Sequence, residues 1–403
     1  MAQATPTDAQ PSPPAQETQE EFLERMRLKV VESFSLLPPE FYWRDRALWL
    51  ESQGYKLRPR YQPGWVPNVS TSETVPLNDE EFVAMMRAAV VDATRTKDGK
   101  RVLLKRIVKS DHPFEVGLTK LLSAEPLSAD PLNHCVPVLD EISPPNEPDV
   151  TYLVLPFLQQ LTCLPFDTFG EIVDFVKQLF TGVQYLHHHH IAHRDIGIPN
   201  ILMEGEQMFP EGWNHFRGHL TPRGDKHSTF FRRSLRPPKY YLIDFGLSRQ
   251  YDASETNPLE PPIAGGDRSV PEFTTNKEAF NPFQTDIYYT GNTIRRFIMT
   301  GDKLLVNGYY GAGFLNPLIK DMVQKDPEKR PTIDEVMTRF EAICKKLSDQ
   351  KLRSRPIPRK GRIIKGIRNH LEHRKRMKEY IEQGIPAIPS RQPSTTEAVR
   401  ESS

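Results

Sequence analysis

The chain has 403 residues, 26% of them charged and 37% hydrophobic, with a formal net charge of +1. That length exceeds one average domain, and the near-zero net charge excludes a global pull toward nucleic acid or membrane, leaving only local clusters to act. Cys135, Cys163 and Cys344 lie far apart with no C-x-x-C spacing, which excludes a disulfide framework and fits a reducing, intracellular setting in cytoplasm or nucleus.

Residues 1–20 are rich in Pro, Gln, Ala and Thr, a composition expected to be disordered, and they lack the basic start and apolar core of a secretory signal. Residues 21–79 read as an N-terminal extension. Its aromatic residues, among them Phe41, Trp43, Trp49, Tyr55, Tyr61 and Trp65, predict a helix and an ordered wrap that covers the body; a partner-binding segment is the alternative. Residues 80–158 read as a small sheet with one helix. Strands are expected at 89–93 and 102–108 around the turn Lys97-Asp98-Gly99-Lys100, then at 135–139 and 151–155, with a helix near 113–123.

Helices dominate residues 159–347. The apolar spacing of Ile172, Val173, Phe175, Val176, Leu179, Phe180, Val183 and Leu186 predicts one over 171–188, and others are expected near 284–299, 314–324 and 332–347. An insertion over about 204–238, roughly 30 residues beyond what its flanking strands need, carries many arginines and is expected at the surface. Residues 348–403 form a basic and then disordered tail, expected to meet an acidic partner or nucleic acid if it meets anything. Arg374-Lys375-Arg376 is a low-specificity match to a nuclear address. No apolar run approaches the roughly 20 residues that span a bilayer. The run His187-His188-His189-His190 reads as the C-terminal end of a helix, where positive charge is favourable, rather than as metal ligands.

The densest chemistry lies in His193-Arg194-Asp195-Ile196-Gly197-Ile198-Pro199-Asn200, followed downstream by Asp244-Phe245-Gly246. The first reads H-R-D-x-x-x-x-N and the second D-F-G, in that order, with an apolar strand leading into the second. Together with Lys105 at the end of an apolar run, Val270-Pro271-Glu272, Lys329-Arg330-Pro331 and Asp286, these phrases resemble the protein kinase superfamily over residues 85–345. Asn133–Asp140 and Tyr240–Ser248 are similar to a divergent, fungal-type branch of it.

The resemblance implies an α+β, two-lobed kinase-like fold with a small β-rich N-lobe and a larger helical C-lobe, and ATP and Mg²⁺ as cofactors. It makes Asp195 the carboxylate that takes or orients the substrate hydroxyl proton, and Asn200 and Asp244 oxygen ligands to Mg²⁺. Lys105 would grip phosphates, paired with Glu115 on the first helix in preference to Glu125. Val91, Leu103, Pro156, Leu158 and Leu202 would surround the base. Glu272 would pair with Arg330, and Asp286 would brace the catalytic loop. Ser248, Ser269, Thr274 and Thr275 are candidate phosphorylation sites, with Arg194 the residue to read a phosphate. Small-molecule kinases share the Asp and Asn spacing but lack the V-P-E segment.

Three departures count against easy catalysis. No glycine occurs in Met86-Arg87-Ala88-Ala89-Val90, where a glycine-rich loop is expected. Leu103 adds bulk two residues before Lys105, and Gly197 stands where a lysine would steady the γ-phosphate. The function expected is a slow, atypical protein serine/threonine kinase with an unidentified protein substrate; the alternative is a pseudokinase scaffold.

Overall fold

The computed structural model describes residues 35–66, 89–215, 217–263, 266–274, 279–301, 308–359 and 363–390, with side chains of 363–368 left aside. The expected disorder at 1–20, the glycine-free stretch at 86–88 and Thr275 lie outside the described residues. The fold is mixed α/β: a curled sheet toward the N-terminus and a helical body after it, consistent with a kinase-like fold. Among the described residues no helix is long and apolar enough to cross a membrane.

The sheet is five-stranded. In chain order its strands are β1 (Tyr55–Leu57), β2 (Val90–Arg95), β3 (Arg101–Val108), β4 (Asp140–Ile142) and β5 (Val150–Pro156), arranged β1-β2-β3-β5-β4. Every neighbouring pair is antiparallel. The β2–β3 hairpin forms at the predicted turn, where Gly99 takes a positive φ of 70° that glycine tolerates without penalty. The strand expected at 135–139 is displaced. Pro137 has no N–H to give a ladder, so Val136 N–H bonds the Leu242 carbonyl and only Leu139 N–H reaches Val154; regular pairing resumes at Asp140.

β1 belongs to the segment read as an extension, and it makes the edge of the sheet against β2. Two short helices precede it, Pro38–Arg44 and Ala47–Ser52. Trp43, Ala47, Leu50, Tyr55, Leu57 and Tyr61 pack with Val91, Ala93, Val102, Leu104, Tyr152 and Val154 in one cluster on the outer face of the sheet. Strand side chains alternate between faces, so Leu103, Lys105 and Ile107 turn the other way, toward the helical body. Ile107 is already part of that body's core.

The core of the body is built on the helix Phe169–His188, capped by Thr168 Oγ1 accepting from Glu171 N–H at 3.1 Å. Ile172, Phe175, Val176, Phe180, Val183 and Leu186 on it are fully buried. Later helices run over Pro282–Ile294, Asn316–Met322 and Ile333–Cys344, the first continuing as a π-helical turn over Arg295–Thr300. The insertion is built into the fold. Arg233 is buried, with its guanidinium donating to the carbonyls of Leu161 (3.0 Å) and Leu164 (3.2 Å). Ser234 Oγ donates to Glu171 at 2.8 Å. The basic tail forms a helix, Ile363–Glu382, whose His373, Met377 and Tyr380 are buried. Arg376 on it pairs with Asp167 at 2.8 Å, whereas Arg374, Lys375 and Lys378 remain exposed.

One ion pair ties the extension together. Glu40 and Arg60 are both buried, joined by two bonds at 2.9 and 2.8 Å, and Tyr61 Oη adds a third to the same carboxylate at 3.0 Å. Removing the carboxylate takes the buried counter-charge from Arg60, which costs about 3–5 kcal/mol. Glu40→Ala is therefore expected to lower unfolding stability by that amount in urea titration. An unchanged midpoint would show that the extension adds nothing to the stability of the sheet.

Candidate functional site

The loop from His193 to Asn200 is held from below. Asp286, fully buried near the start of the helix Pro282–Ile294, accepts the backbone N–H groups of His193 (2.7 Å) and Arg194 (2.8 Å), and His187 Nε2 lies 3.2 Å from the same carboxylate. Arg194 has φ of 67°, a conformation that a non-glycine residue adopts only where its surroundings over-determine it. Asn200 Nδ2 donates to the Asp195 carbonyl at 2.9 Å and to its carboxylate Oδ2 at 2.8 Å. Ile243 N–H bonds the Asn200 carbonyl at 3.0 Å, and the His193 ring sits 5.1 Å from that of Phe245. The two motifs are thus one hydrogen-bonded unit. Burial pushes the Asp195 carboxyl above its ordinary range, against the pull of His193 and Asn200.

Asp244 follows in the left-handed region, φ 68°. Lys105 Nζ donates to its Oδ1 at 2.7 Å and also to Glu115 Oε1. Glu115 is the first residue of the helix Glu115–Ser123 and is buried; Glu125 lies beyond the end of that helix. Burial acts against the Lys105 ammonium, but the two carboxylates outweigh it and its pKa rises. Burial likewise acts to raise Asp244, and Lys105 outweighs it, so that carboxyl is held low. At Gly246 a Cβ would stand 3.1 Å from both Glu115 Oε2 and His112 Nδ1, so a side chain there would push on both.

Above these groups the sheet presents Leu103, paired with Leu155 on β5 and with Asp92 on β2. The sequence reading put Val91 beside the base; the structure turns it to the outer face opposite Leu104, because the hairpin register leaves the inner position to Asp92. Asp92 is 2% exposed and clamped between Arg58 Nε (2.9 Å) and Arg101 Nη2 (2.8 Å). Burial would raise this carboxyl, but the two guanidinium groups hold it below its usual range. Arg101 also lies over the Phe157 ring, 3.9 Å from its centroid, and donates to the Trp213 carbonyl at 3.1 Å, while Trp213 stacks on Phe157 at 5.3 Å. Pro156 ends β5, Leu158 follows, and the half-buried Leu202 sits between the buried Ile201 and Met203 on the strand Ile201–Met203. Sequence reasoning missed Arg58, Asp92, Arg101 and Trp213. The one available signal was an aspartate inside the apolar strand run Val90-Val91-Asp92-Ala93.

The segment after Asp244 is anchored at several points. Ser248 is buried and gives its hydroxyl to the His193 carbonyl at 3.0 Å, so it offers no accessible oxygen here. Arg194 donates to the Leu247 carbonyl at 3.1 Å and meets Glu260 Oε2 at 3.1 Å. Glu260 also accepts from Tyr251 Oη at 3.1 Å, and its backbone exchanges two hydrogen bonds with Phe280 at 2.9 and 2.8 Å. The cation expected to read a phosphate is thus matched by a carboxylate of the chain itself. Glu272 and Arg330, both buried, form two parallel bonds at 2.7 and 2.5 Å. Ser269 and Thr274 are exposed. The histidine run disperses among separate partners, His187 to Asp286 and His188 to Asp334. Among the described residues no three His, Cys, Asp or Glu side chains converge to hold a metal.

No protein-family model matches the chain. A provisionally named serine/threonine-protein kinase of Acanthamoeba polyphaga mimivirus is 25% identical over 213 residues, 46% of this chain and 65% of that protein. The serine/threonine-protein kinase PLK4 of Aedes aegypti is 24% identical over 167 residues, 41% of this chain and 19% of that protein. The chain therefore spans less than two thirds of the length of either relative. The similarity is low and partial; it suggests the kinase-like superfamily and gives no support to a fungal branch.

Because Glu260 neutralises a largely buried guanidinium, Glu260→Gln should destabilise the protein by about 3 kcal/mol and raise amide exchange over 249–263. Phosphatase treatment of the wild-type protein should leave that exchange unchanged. Faster exchange after phosphatase, with none after Glu260→Gln, would mean that a phosphate and not Glu260 holds the segment.

Proposed function

We propose that this chain is an atypical protein kinase that transfers the γ-phosphoryl group of Mg²⁺-bound ATP to a serine or threonine hydroxyl of a protein, on a two-lobed kinase-like fold. The observation that carries this reading is the bridging of Glu115 and Asp244 by Lys105, in a structure whose Asp195 and Asn200 are locked to the same strand-and-loop unit. A scaffold alone has no use for that set of charges.

The donor set fits a hard divalent cation. The Asn200 amide nitrogen is committed to Asp195, which leaves its oxygen as the atom to meet a metal, and Asp244 adds a partly exposed carboxylate. Such a pair, completed by phosphate oxygens and water, suits Mg²⁺, which is seldom held by an all-protein cage. The bound cation would neutralise phosphate charge as it develops. Asp195 orients the incoming hydroxyl and takes up its proton, and its raised pKa brings it nearer the operating pH of a general base. Lys105 supplies the fixed positive charge for the phosphates. The exposed face carrying Arg374, Lys375 and Lys378 is the part of the tail suited to an acidic partner.

A second reading, a pseudokinase scaffold, is favoured by one observation: Asp92, with Arg58 and Arg101, lies where a base would meet the sheet, beside Leu103. Adenine slots are mostly apolar, and a buried ion cluster there disfavours the base.

The two readings part in a thermal-shift titration with ATP and Mg²⁺, followed by radiolabel transfer to a generic protein acceptor. The kinase reading expects a stability gain of a few kcal/mol at about 100 times Kd and a loss of transfer of roughly 100-fold or more in Asp195→Asn. No shift at millimolar nucleotide together with no transfer would leave the scaffold.

A further inference from the structure

Among the described residues, two glycines flank Asp195. Gly197, two residues on, has no side chain, and a Cβ there would meet only Pro199 Cδ at 3.6 Å. Gly266, in the segment that crosses the loop, also has none; its φ is +57°, and a Cβ on it would stand 2.4 Å from Asp195 Oδ1. Its backbone can therefore lie against the carboxylate only as glycine. Neither neighbour offers Oδ1 a side-chain donor, while Oδ2 is held by Asn200.

One side chain does reach this place, from the helix underneath. Tyr289 lies three residues after Asp286 and so shares the helix face that braces the loop. It is 1% exposed, and among the described residues its hydroxyl has no hydrogen-bond partner. That hydroxyl is 3.8 Å from the same point beside Gly266 that is 2.4 Å from Asp195 Oδ1, and the Asp195 and Asp286 carboxylates act on it through space. A buried hydroxyl without a partner costs about 1–3 kcal/mol, and phenylalanine would fill the same volume without that cost. Catalytic hydrogen bonds are often long in ligand-free structures and tighten in the substrate complex.

We infer that Tyr289 is a positioning residue for phosphoryl transfer, its hydroxyl donating to Asp195 Oδ1 when substrate is bound. With Asn200 on Oδ2 and Tyr289 on Oδ1, the carboxylate is fixed in plane, and the remaining lone pair of Oδ1 faces the substrate hydroxyl. The inference rests on the kinase reading and supplies, from the helix, a polar contact to the reaction centre that Gly197 does not provide.

The test is Tyr289→Phe in the full chain. Its melting temperature should equal or exceed that of the wild type, because the hydroxyl removed had no partner. Its kcat should fall roughly 10- to 100-fold, the scale of a misplaced catalytic group, with KM for ATP unchanged. The acid limb of its kcat–pH profile should move to higher pH, since a donor to the ionised carboxylate has been lost. An unchanged kcat and pH profile in an active protein would overturn this inference and leave the kinase reading standing. A kcat loss matched by a lowered melting temperature, with no shift of the acid limb, would also overturn it, as a packing effect. A wild-type protein that transfers no phosphate overturns both.

Discussion

The site depends on a buried carboxylate that performs no chemistry. Asp286 satisfies two consecutive backbone N–H groups of the loop from His193 to Asn200, at a turn where Arg194 is held in a left-handed conformation. Charge-assisted hydrogen bonds of this kind are worth about 1.5–3 kcal/mol each, enough to offset a strained residue of about 1–3 kcal/mol. Without that anchor the loop would relax, and Asp195 and Asn200 would lose their common frame. Helix Pro282–Ile294 is therefore the floor of the site, and what else it carries on that face, Tyr289 above all, is placed with the precision of the anchor.

A second constraint is the period of the strand. Register decides which residues of β2 and β3 face the body, and a slip of one exchanges every side chain between faces. With Asp92 opposite Leu103, the inner face bears Leu103, Lys105 and the Arg58–Asp92–Arg101 cluster, while the outer face is apolar and covered by Trp43, Leu50 and Tyr61. The same alternation explains how one sheet carries both a charged inner face and a hydrophobic outer one.

What the sequence made legible was local. The loop from His193 to Asn200, Asp244 with its neighbours, and Lys105 in its apolar run stood out because each phrase is contained within a few residues, and the structure brings them together. The helix Phe169–His188 was legible because its apolar period is long and regular. Pairings between distant segments were not. Nothing near Tyr55 says that it will join β2, and the choice between Val91 and Asp92 rests on a register set by the hairpin turn. Arg233 and Arg376 read as solvated charges in sequence, yet Arg233 is buried among carbonyls and Arg376 is spent on Asp167. Basic runs are counted in sequence, whereas partners are assigned in space.

The two ends of the inner face of the sheet are built on different principles. Lys105, Glu115 and Asp244 form a compact ion network, which on the kinase reading is the phosphate end. At the other end, where an apolar roof would ordinarily grip a base, a carboxylate sits between two guanidinium groups and below them Phe157 is stacked on Trp213. Ion clusters are rigid and already satisfied, so they yield little to a flat, weakly polar ring. On the kinase reading, nucleotide affinity must then come chiefly from charge at the triphosphate end, and should fall steeply with ionic strength. Arg101 joins the two features, since it pairs with Asp92, covers Phe157 and bonds the insertion at Trp213. The insertion is thereby coupled to the sheet beside Leu103, through a residue of the same strand that carries Lys105.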